Sequence, residues 1–201
     1  MRLRTAHRRT RLAAFVTAAL LTAGAAGTAS AAAPGKAAPG EAASGKVTSG
    51  KAATARPAAA LTGTAKLYRS QGDDITFTFD ARLAAADNDD PTKATGTFRF
   101  SHYLNGRGAS AEAEVDCLLT GGKVAVVSGV IVRSDLPGAK GTRVGITVHD
   151  SGGKDRLGYS WAATGSPAHQ GELPPCVGSA PFEKVRGGTG DFRVVPWNPA
   201  L

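Results

Sequence analysis

The sequence predicts an all-β domain, either a single antiparallel β-barrel or a β-sandwich of about eight strands, with no substantial helix. From Thr64 onward, apolar and polar residues alternate, which is typical of strands with one buried and one solvated face. Turn sequences rich in Gly, Asn and Asp separate these runs at roughly even spacing. No segment shows the apolar period of an amphipathic helix. Alternation alone does not separate a barrel from a sandwich, so both architectures remain open.

The predicted strands follow one another along the domain. DITFTFDARL places Ile75, Phe77 and Phe79 on one face, and GTFRFSHYL does the same with Phe98, Phe100 and His102. KVAVVSGVIV is apolar on both faces, which predicts a central or covered strand. The remaining predicted strands are AEAEVDCLLTGGK, RVGITVH, RLGYSWA and GDFRVV, with KLYR as a weaker candidate.

Two segments of different composition precede the domain. Residues 1–31 combine a basic start, a short apolar stretch and Ala-Ser-Ala, the features of a secretory signal peptide. Residues 32–63 are rich in Ala, Gly, Pro and Lys, which predicts a disordered linker. They would bury too little apolar surface to offset the conformational entropy that is lost when a chain becomes ordered. The alternative for this linker is contact with an anionic cell wall. The domain is therefore expected to span residues 64–201 of a secreted, extracellular protein with no membrane span.

The formal net charge of +8 belongs to the N-terminal segments rather than to the domain. The predicted signal peptide has five arginines and no acidic residue, and the linker has four basic residues against one acidic residue. Between Thr64 and Leu201, 15 basic residues balance 15 acidic ones. A nucleic-acid-binding domain normally carries a basic excess of its own, so a nucleic-acid partner is not expected.

The chain has two cysteines, Cys117 and Cys176. Cys117 falls on the apolar face of AEAEVDCLLTGGK, in the row that is predicted to point inward, with no adjacent base to activate a catalytic thiol. Two cysteines in an exported chain predict one disulfide bond. We therefore interpret the pair as structural.

No metal centre or catalytic constellation is predicted. The three histidines of the domain lack zinc-ligand spacing, and DNDDP at residues 87–91 lacks the glycine and distal glutamate of a calcium-binding EF-hand loop. GYSWA imitates a serine-hydrolase elbow, but Ser160 falls within an alternating strand rather than at a strand-to-helix turn. The sequence therefore predicts no catalytic residue, no metal and no cofactor.

Five stretches that span about residues 72–196 show a family resemblance. They are DITFTFDARL, GTFRFSHYLNGRG, VDCLLTGGKVAVVSGVI, RVGITVHDSGGKDRLGYSW and PPCVGSAPFEKVRGGTGDFRV. The chain resembles a family of small secreted actinobacterial proteins of unknown function, some of which carry the label "repetin". The resemblance implies no activity, ligand or catalytic residue, and no kinship with the epidermal calcium-binding protein of that name.

The leading functional hypothesis is a non-catalytic extracellular binding module for a small apolar ligand or an extracellular macromolecule. One alternative is a small-molecule hydrolase or cofactor-free isomerase with a site around His102. Another is a secreted inhibitor or adhesion module that acts through the loop at residues 164–180. For a ligand cavity, the predicted lining residues are Phe98, Phe100, His102, Tyr159 and Trp161.

Overall fold

The structure, a computed structural model, describes residues 55–70 and 72–199 of the 201-residue chain. The predicted signal peptide, and the predicted linker up to residue 54, lie outside the described residues. The described part confirms the all-β prediction: it has nine strands, and its helices are three 3-10 helices of three residues each. None of these helices has the length and hydropathy of a membrane-crossing segment. The strands are β1 (Ala59–Lys66), β2 (Asp73–Leu83), β3 (Thr95–Leu104), β4 (Arg107–Gly121), β5 (Val124–Ser134), β6 (Arg143–His149), β7 (Arg156–Tyr159), β8 (Glu183–Lys184) and β9 (Arg193–Val195).

The nine strands form one curled, half-barrel antiparallel sheet in the order β8-β7-β6-β5-β4-β3-β2-β1-β9. Strands β1 to β8 pair in sequence order, and β9 returns to pair with the first half of β1. Just beyond β1, Leu67 forms a bridge with Val185, which directly follows β8. The Tyr68 N–H donates to the Lys184 carbonyl over 2.8 Å at the same place. The two ends of the sheet therefore meet, and the curl has an inner and an outer face.

The core lies on the inner face, where the predicted alternation of β2 is confirmed. Ile75, Phe77, Phe79, Ala81 and Leu83 are all buried, while the residues between them are half-buried or exposed. Phe77 packs beside Phe79 with ring centroids 6.4 Å apart. Burial of each phenylalanine contributes roughly 2–3 kcal/mol to the free energy of folding.

Strand β1 corrects the predicted domain boundary. The predicted linker extends to residue 63, yet the strand begins at Ala59, and Ala59 and Leu61 are fully buried. These residues pair in register with Leu83 and Ala81 of β2. The Ala-rich composition concealed the strand, because small side chains are buried here without alternating with polar ones. The sheet therefore starts within the predicted linker.

A β-bulge in β4 corrects the predicted orientation of Cys117. Val115 lies opposite Gly129, whose missing Cβ would touch the inward ring of Phe98, so both residues face inward. Asp116 is the extra residue of the bulge, and Cys117 lies opposite Ser128 on the outer face. Bulges insert one residue and so reverse the alternation that follows. Cys117 is fully buried, but beneath a covering segment on the outside of the sheet rather than in the inner core.

That covering segment, residues 172–180, is called the strap. The predicted Cys117–Cys176 disulfide is confirmed, with Cα atoms 5.2 Å apart, and it ties the strap to β4. A Cβ atom added to Gly145 would lie 1.8 Å from the Val177 carbonyl oxygen, so the strap passes very close to β6. This close approach requires glycine on the strand.

Polar side chains also hold the strap. Asp116, the bulge residue, accepts a hydrogen bond from Ser128 Oγ and one from Arg143 Nε, each over 2.6 Å. Arg143 Nη1 donates to the Leu173 carbonyl (3.1 Å), and the Cys176 N–H donates to Ser128 Oγ (2.9 Å). The bulge therefore does two things: it turns Cys117 outward and supplies a carboxylate beneath the strap.

A candidate ligand cavity at the open end of the curl

A cavity of about 510 Å³ opens at one end of the inner face. Its volume is within the range of small-molecule sites, roughly 300–1,000 Å³. Parts of β2, β3, β4, β5 and β7 surround it, together with the turn after β5 and the segment after β7. The lining residues that matter below are Arg69, Phe77, Phe100, His102, Ala109, Tyr159 and Trp161.

Aromatic rings form the wall of this cavity. Trp161 packs on Phe100 with centroids 4.5 Å apart and on Tyr159 with centroids 4.9 Å apart. Phe77 lies behind them, 6.3 Å from Trp161. Phe77 and Trp161 are buried, whereas Phe100 and Tyr159 are half-buried and reach the open space. Rings packed on one another in this way are held in place before any ligand arrives.

The predicted strand RLGYSWA is shorter than expected. Strand β7 ends at Tyr159, and the Gly165 N–H donates back to the Trp161 carbonyl over 2.9 Å, which closes a turn. Trp161 therefore enters the cavity from a turn rather than from a strand. Ser160 lies on the other side, where its Oγ donates to Gln170 Oε1 (2.8 Å) and accepts from the Gly145 N–H (3.1 Å). Its hydroxyl thus belongs to the hydrogen bonds around the strap.

Four of the five predicted lining residues lie around the cavity: Phe100, His102, Tyr159 and Trp161. Phe98 does not; it is fully buried deeper in the core, 6.2 Å from the ring of Phe79. His102 is on the rim rather than on the inner wall, because β3 extends beyond the core at this point and leaves its side chain 61% exposed. His102 lies opposite Ile75, on the inner side of β3 as predicted, but at the rim of the cavity, where it is largely exposed.

His102 has an acidic neighbour on the rim. Its Nε2 lies 2.6 Å from Oδ1 of Asp73, at the start of β2. That oxygen is buried and has no aligned hydrogen-bond donor among the described residues. The two groups are thus in close contact without good hydrogen-bond geometry.

An ion pair also lies at the mouth of the cavity. Arg69 Nη1 donates to Glu183 Oε2 over 2.6 Å, and Nη2 contacts Oε1 of the same carboxylate. The Tyr159 hydroxyl donates to Oε1 over 3.4 Å. The hydrogen bond from Arg69 holds the pKa of Glu183 below its ordinary value, and the hydrogen bond to Glu183 raises the pKa of Arg69. Burial, followed by the charge of Glu183, raises the pKa of Tyr159, so this phenol stays protonated at neutral pH.

Sequence reasoning missed this ion pair. Strand β8 has only two residues, too few for alternation to be visible, and Arg69 belongs to the weak candidate KLYR. Arg69 and Glu183 are 114 residues apart and meet only where the ends of the sheet join. No pattern of neighbouring residues in the sequence predicts that these two side chains will meet.

The part of the lining at β4 and the turn after β5 contains polar groups that are hydrogen-bonded to one another. The Asp135 carboxylate accepts from both the N–H and the hydroxyl of Ser110. Ser134 Oγ donates to the Ser110 carbonyl (2.8 Å) and accepts from the Leu136 N–H (3.0 Å). These bonds fix the turn after β5 against the end of β4. The cavity therefore has an aromatic side and a mixed side whose polar groups are held by hydrogen bonds.

Within residues 55–70 and 72–199, no cluster of three or more His, Cys, Asp or Glu side chains is placed to hold a metal ion. The acidic turn at residues 87–91 is explained by its own hydrogen bonds, since Asp90 accepts from the N–H and hydroxyl of Thr92. The side chains around the cavity offer aromatic surface, hydroxyl groups and one internal ion pair. They suit recognition of a flat, mainly apolar molecule.

Comparison with known proteins adds no relative: no family model, curated protein or solved structure matches the chain. The functional argument therefore depends on the cavity itself.

Proposed function

We propose that the protein is a secreted, non-catalytic binding module that holds a small, flat, mainly apolar ligand in the cavity at the open end of the curl. The single observation that carries this proposal is the cavity of about 510 Å³ beside the packed rings of Phe100, Tyr159 and Trp161. A polar ligand would gain little from these rings, whereas an apolar one would remove their exposed faces from water.

The surrounding contacts support a preformed site. The rings are packed on one another, the Arg69–Glu183 pair is hydrogen-bonded, and Ser110 and Asp135 hold the opposite wall. A ligand that enters such a site orders few side chains, so little of the binding energy is lost to conformational entropy. The disulfide is consistent with the proposed extracellular location, because such bonds persist in oxidising compartments.

A neutral fluorescent probe, N-phenyl-1-naphthylamine, tests the proposal with the full chain. We expect saturable binding of one probe per chain, seen as a rise in probe fluorescence. Ala109 lines the cavity, and A109F should weaken binding at least tenfold by filling it. The matched control is A86F, at an exposed alanine in the first 3-10 helix, which should leave the affinity within a factor of two.

Two results would contradict the proposal. The first is the absence of saturable binding by the probe and by a panel of lipids and aromatic metabolites in native mass spectrometry. The second is equal binding by A109F and A86F, which would show that the probe binds elsewhere.

A hydrolase or isomerase around His102 is the second candidate, favoured by the 2.6 Å contact between His102 and Asp73. In catalytic triads an acidic partner orients a histidine for proton transfer, and here the pair would have to align its hydrogen bond when substrate binds. No hydroxyl group among the described residues donates a hydrogen bond to His102, so a nucleophile would have to be the substrate or water. The test is hydrolysis of p-nitrophenyl acetate by the unchanged protein, H102Q and H169Q. Loss of activity in H102Q but not in H169Q would favour this candidate over the binding module. Equal rates in all three proteins would reject the hydrolase.

A further inference from the structure

A second concavity, also of about 510 Å³, lies on the outer face of the sheet and is called the outer trough. It crosses β2, β3, β4 and the end of β5. Its side chains are polar, apart from the edges of Phe100 and Ala111, which point mainly inward. The outward residues are Thr76, Thr78, Arg99, Ser101, Ser110, Glu112 and Arg133.

The strand register arranges these residues in two rows across the strands. The first row is Thr78, Arg99, Glu112 and Arg133, each directly opposite the next. The second row is Thr76, Ser101 and Ser110, two residues farther along each strand. Side chains directly opposite one another have Cβ atoms about 4.5–5.5 Å apart. A charged row therefore borders a row of short hydroxyl side chains, and the difference in length makes the trough.

Glu112 organises the charged row. Arg99 Nε contacts Glu112 Oε2, and Arg133 Nη2 contacts Oε1, so both carboxylate oxygens are occupied. The Glu112 side chain is only 11% exposed, whereas those of Arg99 and Arg133 are 65% and 71% exposed. The hydrogen bond from Arg99 lowers the pKa of Glu112, which therefore stays ionised. Two guanidinium groups are thus positioned on either side of Glu112.

The trough has more donors than acceptors. A guanidinium group has five N–H donors, and among the described residues Arg99 and Arg133 each use one nitrogen, both on Glu112. The carboxylate of Asp135, the other acidic group of the trough, accepts from Ser110. The formal charges cancel, two against two, so the trough does not attract anions over a long range. The guanidinium groups still have N–H donors without acceptors. A planar carboxylate is the acceptor that best matches the geometry of a guanidinium group.

The rest of the trough favours a hydroxylated chain over a peptide. Strands β2, β3 and β4 have neighbours on both sides, so their backbone groups cannot pair with an added strand here. Among the described residues that line the trough, the one large apolar side chain is that of Phe100, which is half-buried, so a peptide anchor would find little apolar surface. Three hydroxyl groups in a row can instead accept hydrogen bonds from sugar hydroxyls. The hydroxyls of Thr76 and Ser110 already donate to Asp74 and Asp135, so Ser101 is the one of the three that can also donate to a sugar. Four strands about 4.8 Å apart span about 14 Å, which suits a short oligosaccharide.

We propose that the outer trough binds a carboxylate-bearing polysaccharide segment, with Arg99 and Arg133 holding its carboxylates and Thr76, Ser101 and Ser110 contacting its hydroxyl groups. The trough borders the proposed ligand cavity, and the two share six lining residues: Phe100, Ser101, Ser110, Ala111, Ser134 and Asp135. The proposal for the trough does not depend on the ligand of the cavity. Arg99 and Arg133 line the trough but not the cavity, so their substitution removes no side chain from the cavity wall.

Isothermal titration of the full chain with tri-galacturonic acid tests the proposal, with the neutral galactose trisaccharide as its counterpart. We expect binding of the acidic trisaccharide and at least tenfold weaker binding by R99A/R133A, since hydrogen bonds to charged groups are the strong ones. The control is R82A/R193A, which removes the same charge at exposed arginines outside the trough and should stay within a factor of two. R99K/R133K keeps the charge without the fork and should also bind at least fivefold more weakly.

Three results would overturn the proposal: no binding of the acidic trisaccharide at millimolar concentration, equal binding of the neutral one, or an equal loss in R82A/R193A. The last would mean that net charge, including that of the basic segment at residues 32–63, attracts the anion. The cavity is tested separately, because R99A/R133A should bind N-phenyl-1-naphthylamine as the unchanged protein does.

Discussion

Substitution of Gly145 by alanine tests the packing of the strap directly. The added Cβ would lie 1.8 Å from the Val177 carbonyl oxygen and 2.9 Å from the carbon of the same carbonyl. To restore an ordinary separation of 3.4 Å, the strap would have to move by about 1.6 Å. It cannot do so freely, because the adjacent Cys176 is bonded to Cys117. Overpacking of this kind costs about 1–3 kcal/mol of folding free energy.

Thermal unfolding measures this cost. For a domain of this size, each kcal/mol changes the Tm by about 4 °C, so G145A should melt about 4–12 °C below the unchanged protein. The matched control is G121A: Gly121 is exposed at the end of β4, and an added Cβ would meet no atom within 4 Å. Loss of glycine freedom in the unfolded chain should leave G121A equal or slightly more stable, by about 0.4–1 kcal/mol.

The reasoning would be refuted if G145A and G121A melted at the same temperature. The strap would then not press on β6, and the outer-face burial of Cys117 would lose its explanation. A further check uses the C117A/C176A background, where the strap can move away. In that background G145A should lower the Tm by less. An equal decrease in Tm would mean that the added methyl group disturbs the sheet itself rather than the strap.

Two further predictions concern stability. Reduction of the disulfide should add the mass of two hydrogen atoms to the protein. It should also lower the free energy of unfolding, measured with urea, by about 4 kcal/mol, because the bond closes a loop across 59 residues. An unchanged urea midpoint would contradict this. Because the pKa of Glu183 is lower in the folded state, its ionised form stabilises the fold above about pH 4.5, and this contribution is lost as pH falls below that value. E183Q should therefore lower the free energy of unfolding at pH 7 by roughly 1–3 kcal/mol and make it depend less on acid pH. The control is E114Q, at the exposed Glu114. Equal pH profiles for the two variants would exclude the ion pair as the cause.

Much of the fold could be predicted because its determinants are local. The alternation of β2 identified its buried face, and the Asn105-Gly106 turn, with both residues at positive φ, matches the type I′ geometry expected between β3 and β4. The cavity was only partly predictable. Tyr159, Trp161 and His102 were identified from their strand pattern. Alternation does not show that β3 extends beyond the core, and so it did not show that His102 is largely exposed at the rim.

The sequence by itself determined the strand-forming segments, the inner faces of the regular strands and the pairing of Cys117 with Cys176, since each depends on neighbouring residues or on a simple count. The tertiary structure alone decided four features: the start of the sheet at Ala59, the outward turn of Cys117, the Arg69–Glu183 pair and the two concavities. The physical reason is that each depends on contacts between segments far apart in the chain. A single extra residue, Asp116, reverses which side chains of β4 point inward after the bulge. Local periodicity does not show which distant segment will cover the side chains that now point outward.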